Sequence, residues 1–188
     1  MTTAALALML ANGAATRPAA PAQAWRIDET QTVIAFTIQA VGFQTTHGRF
    51  NRYAGHILID FEHPAKSFTR FTVESASVDV GSPSFNEFVK SSALLNVEKY
   101  PTLSFASTQV EKLDAHTARV SGDLTMLGVA RPLALVVDVT TDPAARGRVV
   151  AFAANGKISR SDFGMIFGIP LIDDTLQITV KTRALTDG

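Results

Sequence analysis

The 188 residues contain no cysteine. That excludes disulfides, thiolate metal sites and a lipid-modified N-terminal Cys. Excess charge is lacking too, since 17 Lys and Arg balance 17 Asp and Glu. No Lys/Arg-rich run is present, so the chain has no electrostatic grip on nucleic acid or on an anionic membrane. No apolar run is long enough to span a bilayer as a helix, so a soluble protein is expected. The length favours one domain.

What is present falls into two unlike parts. Near the start, "AALALMLANGAA" is a short apolar block, and "PAQA" before Trp25 supplies the small-x-small pattern of a signal-peptidase site. Met1–Ala24 therefore reads as a secretory signal peptide, although no Lys or Arg precedes the apolar block. Residues 25–188 are expected as the mature domain, with Trp25 at its N-terminus and a periplasmic or secreted location.

Beyond Trp25, apolar and polar residues alternate. Ile34, Phe36 and Ile38 share one face, as do Ile57, Ile59 and Phe61, then Leu103 and Phe105. Further rows are Val120-Gly122-Leu124-Met126, Leu133-Leu135-Val137-Val139, Phe152-Ala154-Ile158 and Leu176-Ile178-Val180. One apolar face per strand is the pattern of an antiparallel sheet. "LDAHT" (113–117) and "DPAARG" (142–147) read as hairpin loops, "EHPAKS" (62–67) as a longer connection, and Pro132 as the opening of a strand. About eight strands joined by short turns form a meander, and closing it into a barrel removes the exposed edges.

One stretch breaks the alternation. In "SPSFNEFVKSSALLNVEKYP" (82–101), Phe85, Phe88, Val89 and Ser92 recur at helical spacing. Two starts are available: Ser82 as N-cap with Pro83 first in the helix, or a capping box from Ser84 to Glu87. The apolar side of a single short helix must be covered, which places it across an open barrel end as a lid.

Several stretches taken together resemble the YceI-like family of secreted, lipocalin-like proteins that bind polyisoprenoids and related lipids. They are "WRIDETQTVIAFTI", "GFQTTHGRFNRYAGHILID", "SASVDVG", "NVEKYPTLSFASTQV", "VSGDLTMLGVARPLAL" and "ISRSDFGM", in the family's order from Trp25 to Leu185. The resemblance implies an eight-stranded antiparallel barrel with a helix near its mouth and a long apolar cavity. Members are commonly periplasmic and often look like homodimers. The chain also departs from the family. Gln31 and Ala40 stand where members often carry His, and Phe88-Val89 where they carry His-Leu. Leu94-Leu95 replace a common Phe-Phe pair, and Ala93 an Asp. These changes favour a less polar ligand or a different way of holding its head group.

On this reading the chain binds and sequesters or carries a long apolar lipid, foremost an isoprenoid chain such as a polyprenyl lipid or quinone tail. The residues expected to touch it are Phe36, Ile38, Phe105, Leu124, Leu135, Phe152 and Ile178 on strands, and Phe85, Phe88, Leu94 and Leu95 on the lid. Phe163 and Phe167 join them from "RSDFGMIFGIPLIDD" (160–174), in which Arg160 and Asp162 read as a structural pair. His47, His56, His63 and His116 match no zinc-ligand spacing, and no elbow, phosphate loop or His-Glu-x-x-His motif occurs. Neither catalytic residues nor a cofactor are expected. Two rival readings are an accessory protein or enzyme acting on a bound quinone, and an interaction protein with a filled barrel.

Overall fold

The computed structural model describes residues 23–140 and 149–186. Most of the expected signal peptide and the "DPAARG" loop lie outside the described residues. The strands are β1 (Gln23–Ile27), β2 (Val33–Ile38), β3 (Thr46–Phe50), β4 (Tyr53–Ile59), β5 (Phe68–Glu74) and β6 (Val78–Asp79). The longer β7 (Thr102–Lys112), β8 (Thr117–Met126), β9 (Val129–Val139), β10 (Val149–Ser159) and β11 (Thr175–Thr186) follow. All pairings are antiparallel, in the order β1-β4-β5-β7-β8-β9-β10-β11. The ring closes where β11 meets β1, with Trp25 opposite Thr186 and Ile27 opposite Ala184. Farther along, β11 pairs with β2 from Lys181–Val33 to Gln177–Thr37.

β1 and β2 are thus two halves of one strand, interrupted by a 3-10 turn at Glu29–Gln31. β3 and β4 are likewise halves of the next strand, and β5 and β6 are separated by a 3-10 turn at Ser75–Ser77. Counting each broken pair once gives the closed eight-stranded antiparallel barrel expected from the alternation.

The breaks are cross-linked. Asn51 N–H donates to Ser77 O, Glu74 N–H to Arg52 O, and the Tyr53 hydroxyl to Thr32 O and Glu29 O. Burial and the nearby Glu29 and Asp28 raise the pKa of that phenol, so the hydroxyl stays a donor. Between the two β11 pairings, Asp28 N–H donates to Arg183 O, and the Thr32 and Thr182 hydroxyls meet at 2.7 Å. These bonds give backbone groups freed by the breaks nearby partners.

Pro132 lies inside β9, opposite Asp123, instead of opening the strand. It is tolerated because the β9–β10 ladder covers only Val136–Val139 against Phe152–Asn155, so its missing N–H leaves no gap in that ladder. The β8–β9 hairpin turns on Leu127 and Gly128, both at positive φ. Such two-residue turns match the twist of the flanking strands.

Helix α1 (Pro83–Lys90) starts with Ser82 at the N-cap position, without a side-chain cap bond, and Pro83 first, so the earlier of the two starts is used. Asn86 fastens it to the sheet: its side-chain oxygen accepts from Val80 N–H at 2.7 Å, and its amide donates to Asp79 at 3.3 Å. At the other end the Ser91 hydroxyl bonds Phe88 O. Leu95 N–H then returns to Val89 O, which folds Leu94 and Leu95 back under the helix.

Candidate functional site

The two barrel ends differ in chemistry. One end carries α1, the β2–β3 loop (39–45) and the β10–β11 loop (160–174). The other carries the β4–β5 and β7–β8 loops. Between them runs a cavity of about 1120 Å³ whose walls are overwhelmingly apolar. Polar lining residues gather at the second end, among them Asp60, Glu62, Lys112, Asp114 and His116.

Alternation builds the walls. Ile34, Phe36 and Ile38 face the cavity from β2, and Leu133, Leu135, Val137 and Val139 from β9. β11 contributes Leu176, Ile178 and Val180. Glycine makes room where large neighbours crowd the wall. A Cβ on Gly48 would sit 2.1 Å from the Phe36 ring, which leans over that bare backbone and reaches the Phe50 ring at 5.8 Å.

Size decides whether the barrel is filled or hollow. The space is far larger than a packing defect and open to the surface, and its walls offer water few hydrogen-bond partners.

Eleven of the thirteen residues singled out from the sequence line this space: Phe36, Ile38, Phe85, Phe88, Leu94, Leu95, Phe105, Leu124, Leu135, Phe152 and Ile178. The other two are placed differently. Phe163 is 3 % exposed and belongs to the core cluster with Ile34, Leu103, Met126 and Met165, because the 3-10 turn at Ser161–Phe163 turns it inward beneath the loop. Phe167 stands outside the wall, half exposed, with its ring edge-on to Phe88 at 5.2 Å. Phe43 and Phe71 also line the cavity. Phe71 was detectable from the Thr69-Phe71-Val73 alternation, whereas Phe43 sits in a loop with no periodic signal.

On α1, Phe88 stacks on Phe85 at 6.1 Å, and both rings line the cavity. Val89 packs in the core and also borders the cavity, so the helix turns both Phe88 and Val89 inward.

Arg160 organises the neighbouring loop without the expected Asp162 pairing. Its Nε donates to Asp173 O at 2.9 Å, Nη1 to Phe167 O and Nη2 to Ile172 O, both at 3.2 Å. Burial lowers the pKa of the guanidinium, and the nearby Asp174 and Asp173 work against that shift. Asp162 serves instead through its carbonyl, which accepts from Arg131. Asp174 accepts from the Ser161 hydroxyl and N–H, and these bonds hold its carboxyl below the usual range.

The histidines do not converge. His47 and His56 are exposed on β3 and β4, His63 lies 3.4 Å from Asp60, and His116 sits in the β7–β8 turn. Among the described residues, no group of three or more His, Asp or Glu side chains could hold a metal ion. Among the same residues, no helix is long and apolar enough to cross a membrane.

Comparison with known proteins gives a consistent picture. The family model described as "YceI-like domain" matches residues 25–184. Protein YceI of Escherichia coli O17:K52:H18 is 33% identical over 135 residues, covering 70% of each chain. A UPF0312 protein of Enterobacter sp. (strain 638) is 31% identical over 155 residues, covering 80% of each. Among solved structures, Burkholderia cenocepacia BcnA superposes with a TM-score of 0.76 at 22% identity, covering 84% of this chain and 98% of that one. A polyisoprenoid binding domain from Saccharophagus degradans, implicated in plant cell wall breakdown, gives 0.68 at 15% identity, covering 87% and 99%. Likeness at these identities concerns the fold.

Proposed function

Because the chain belongs to the YceI-like domain family, we propose that it is a periplasmic or secreted carrier that sequesters one long apolar molecule, foremost an isoprenoid chain. The carrying observation is the 1120 Å³ cavity with apolar walls. Burial of hydrocarbon is worth ~0.8 kcal/mol per CH₂, so roughly ten such groups supply ~8 kcal/mol, the scale of a micromolar Kd before ordering costs. The Saccharophagus domain of similar fold, described as polyisoprenoid binding, supports the ligand class. Sequestration of this kind needs neither cofactor nor catalytic residue. The absence of His at Ala40 and Phe88, which line the cavity at the helix end, weighs against chemistry on a quinone head there. Export is supported by the apolar block and "PAQA", and by the family match starting at Trp25.

One experiment tests the whole reading: native mass spectrometry of protein recovered from the cell envelope, before and after solvent extraction. The expected result is a chain beginning at Trp25 with an extractable lipid adduct, and the same spectrum counts the copies per particle. An intact Met1 chain in the cytoplasm defeats the location. An adduct-free protein that takes up no isoprenoid defeats the carrier.

A further inference from the structure

The first barrel end is apolar outside as well as inside. In the β2–β3 loop, Val41 is 69% and Phe43 81% exposed. In the β10–β11 loop, Ile166 is 69% and Leu171 67% exposed, with Phe167 and Ile169 also open to solvent. Residues 39–45 and 163–172 contain no Asp, Glu, Lys, Arg or His. Single exposed apolar side chains are ordinary; a contiguous set on two adjoining loop tips that carry no charge marks an interaction surface.

The backbone beneath is tied together. Val41 N–H donates to Leu171 O at 2.8 Å, Asp173 N–H to Gln39 O at 2.9 Å, and Ala40 bridges Ile172. Within the loops, Phe43 N–H reaches Ala40 O and Ile172 N–H reaches Gly168 O, while the Phe167 and Ile172 carbonyls accept from Arg160. Non-helical backbone enters a lipid interface at low cost only when its polar groups are satisfied internally. The 163–172 loop meets much of that condition, and in the 39–45 loop the N–H groups of Val41 and Phe43 do.

We propose that this rim docks on a lipid surface, so that the cavity opens directly onto the hydrocarbon from which its ligand is taken. The proposal rests on the carrier reading given above. What identifies the occupant is continuity with the cavity: Phe43 and Phe85 belong both to the exposed rim and to the cavity wall. A chain insoluble in water can pass from bilayer to barrel across that rim without crossing solvent. A second copy seated there would stopper the mouth. The two loop tips themselves carry no charged residue, so docking is driven by apolar insertion.

The test is flotation of the delipidated full chain with phosphatidylcholine vesicles, comparing the wild type with the double variant Ile166→Glu/Leu171→Glu. Neither residue lines the cavity. Two charges at the interface should lower the vesicle-bound to free ratio at least tenfold, while geranylgeraniol added without vesicles binds as before. A milder pair, Ile166→Gln/Leu171→Gln, should fall between, and thermal unfolding of all three proteins controls for folding. Equal flotation of wild type and double variant overturns the proposal, as does a wild type that does not float. So does a rim variant that splits a wild-type dimer into monomers while flotation is unchanged. Rim-dependent flotation with no geranylgeraniol binding would sink the carrier reading and leave the docking surface standing.

Discussion

Replacing Phe88 with Asp separates a lid from a plug. The ring faces the cavity while half buried and packs against Phe85 and Phe167. Complete burial of a Phe is worth ~1.5–3 kcal/mol, so a half-buried ring carries about 1. Two aromatic pairs add ~0.5–1.5 kcal/mol each at most. Removing the ring should therefore cost the ligand-free protein about 2–4 kcal/mol, less than a net stability of ~5–15. Binding suffers differently, because an unpaired carboxylate must face hydrocarbon or take up a proton. A tenfold loss corresponds to only ~1.4 kcal/mol, so affinity for a long-chain isoprenoid should fall at least that far. Val89, one residue on, is 9 % exposed and packed in the core. Val89→Asp should therefore unfold the protein well before Phe88→Asp does. The assay is chemical denaturation of delipidated protein followed by isoprenoid titration of the folded fraction. Normal binding by the folded fraction of Phe88→Asp would refute the lid. Equal destabilisation by the two substitutions would refute the argument from their different burial.

Two further outcomes probe the frame. A Cβ on Gly122 would lie 2.3 Å from Ala106 O and 2.7 Å from Ser107 Cα, at the β7–β8 register shift. Backbone cannot step aside, so Gly122→Ala should destabilise by about 3 kcal/mol or more. Gly81→Ala, at positive φ but in open space, should cost only ~1 kcal/mol, and comparable denaturation midpoints would contradict this account. Asp60, Asp79, Asp114 and Asp174 are all held below the usual carboxylate value, chiefly by hydrogen bonds from His63, Gly81, His116 and Ser161 respectively. Their folded values lie below the unfolded one, so the unfolded chain binds more protons as pH falls. Stability should hold above the unfolded carboxylate pKa, ~3.9, and decline as pH drops through and below it; a melting temperature unchanged or rising from pH 5 to pH 2 would count against it.

The alternating rows made the long wall legible, since β7 to β11 bury one face each along 10 to 12 residues. The helix was legible for the opposite reason, its spacing of three and four between Phe85, Phe88 and Val89. What sequence could not show is where strands break. "SASVDVG" reads on as alternation, yet Ser75–Ser77 form a 3-10 turn, because the break depends on partners such as Asn51 and Pro101 that lie far off in the chain. Phe163 and Phe167, four residues apart in one apolar loop, look equivalent as letters. Only the fold places one in the core and the other on the rim. Whether inward rows fill the barrel or enclose a cavity was equally hidden, since both arrangements use the same alternation.

The breaks bear directly on function. They fall on three adjacent strands and are stitched to one another by Tyr53, Asn51, Arg52 and Glu74. Opposite them, β7, β8, β10 and β11 run unbroken through 10 to 12 residues. Beyond the breaks only the short β2, β3 and β6 continue, and β6 leads into α1 through the Asp79–Asn86 contact. A barrel unbroken all round would offer two similar rims. Interrupting one wall at a single level splits its ladder, and β2 and β3 carry it on toward the end where α1 and the loop 160–174 lie. The helix, the Arg160-tied loop and the apolar rim thus share the end beyond the breaks. Loosening the stitch, for example through Tyr53→Phe, which removes the hydroxyl bonds to Thr32 and Glu29, should reach ligand affinity through the lid although Tyr53 lies outside the cavity wall.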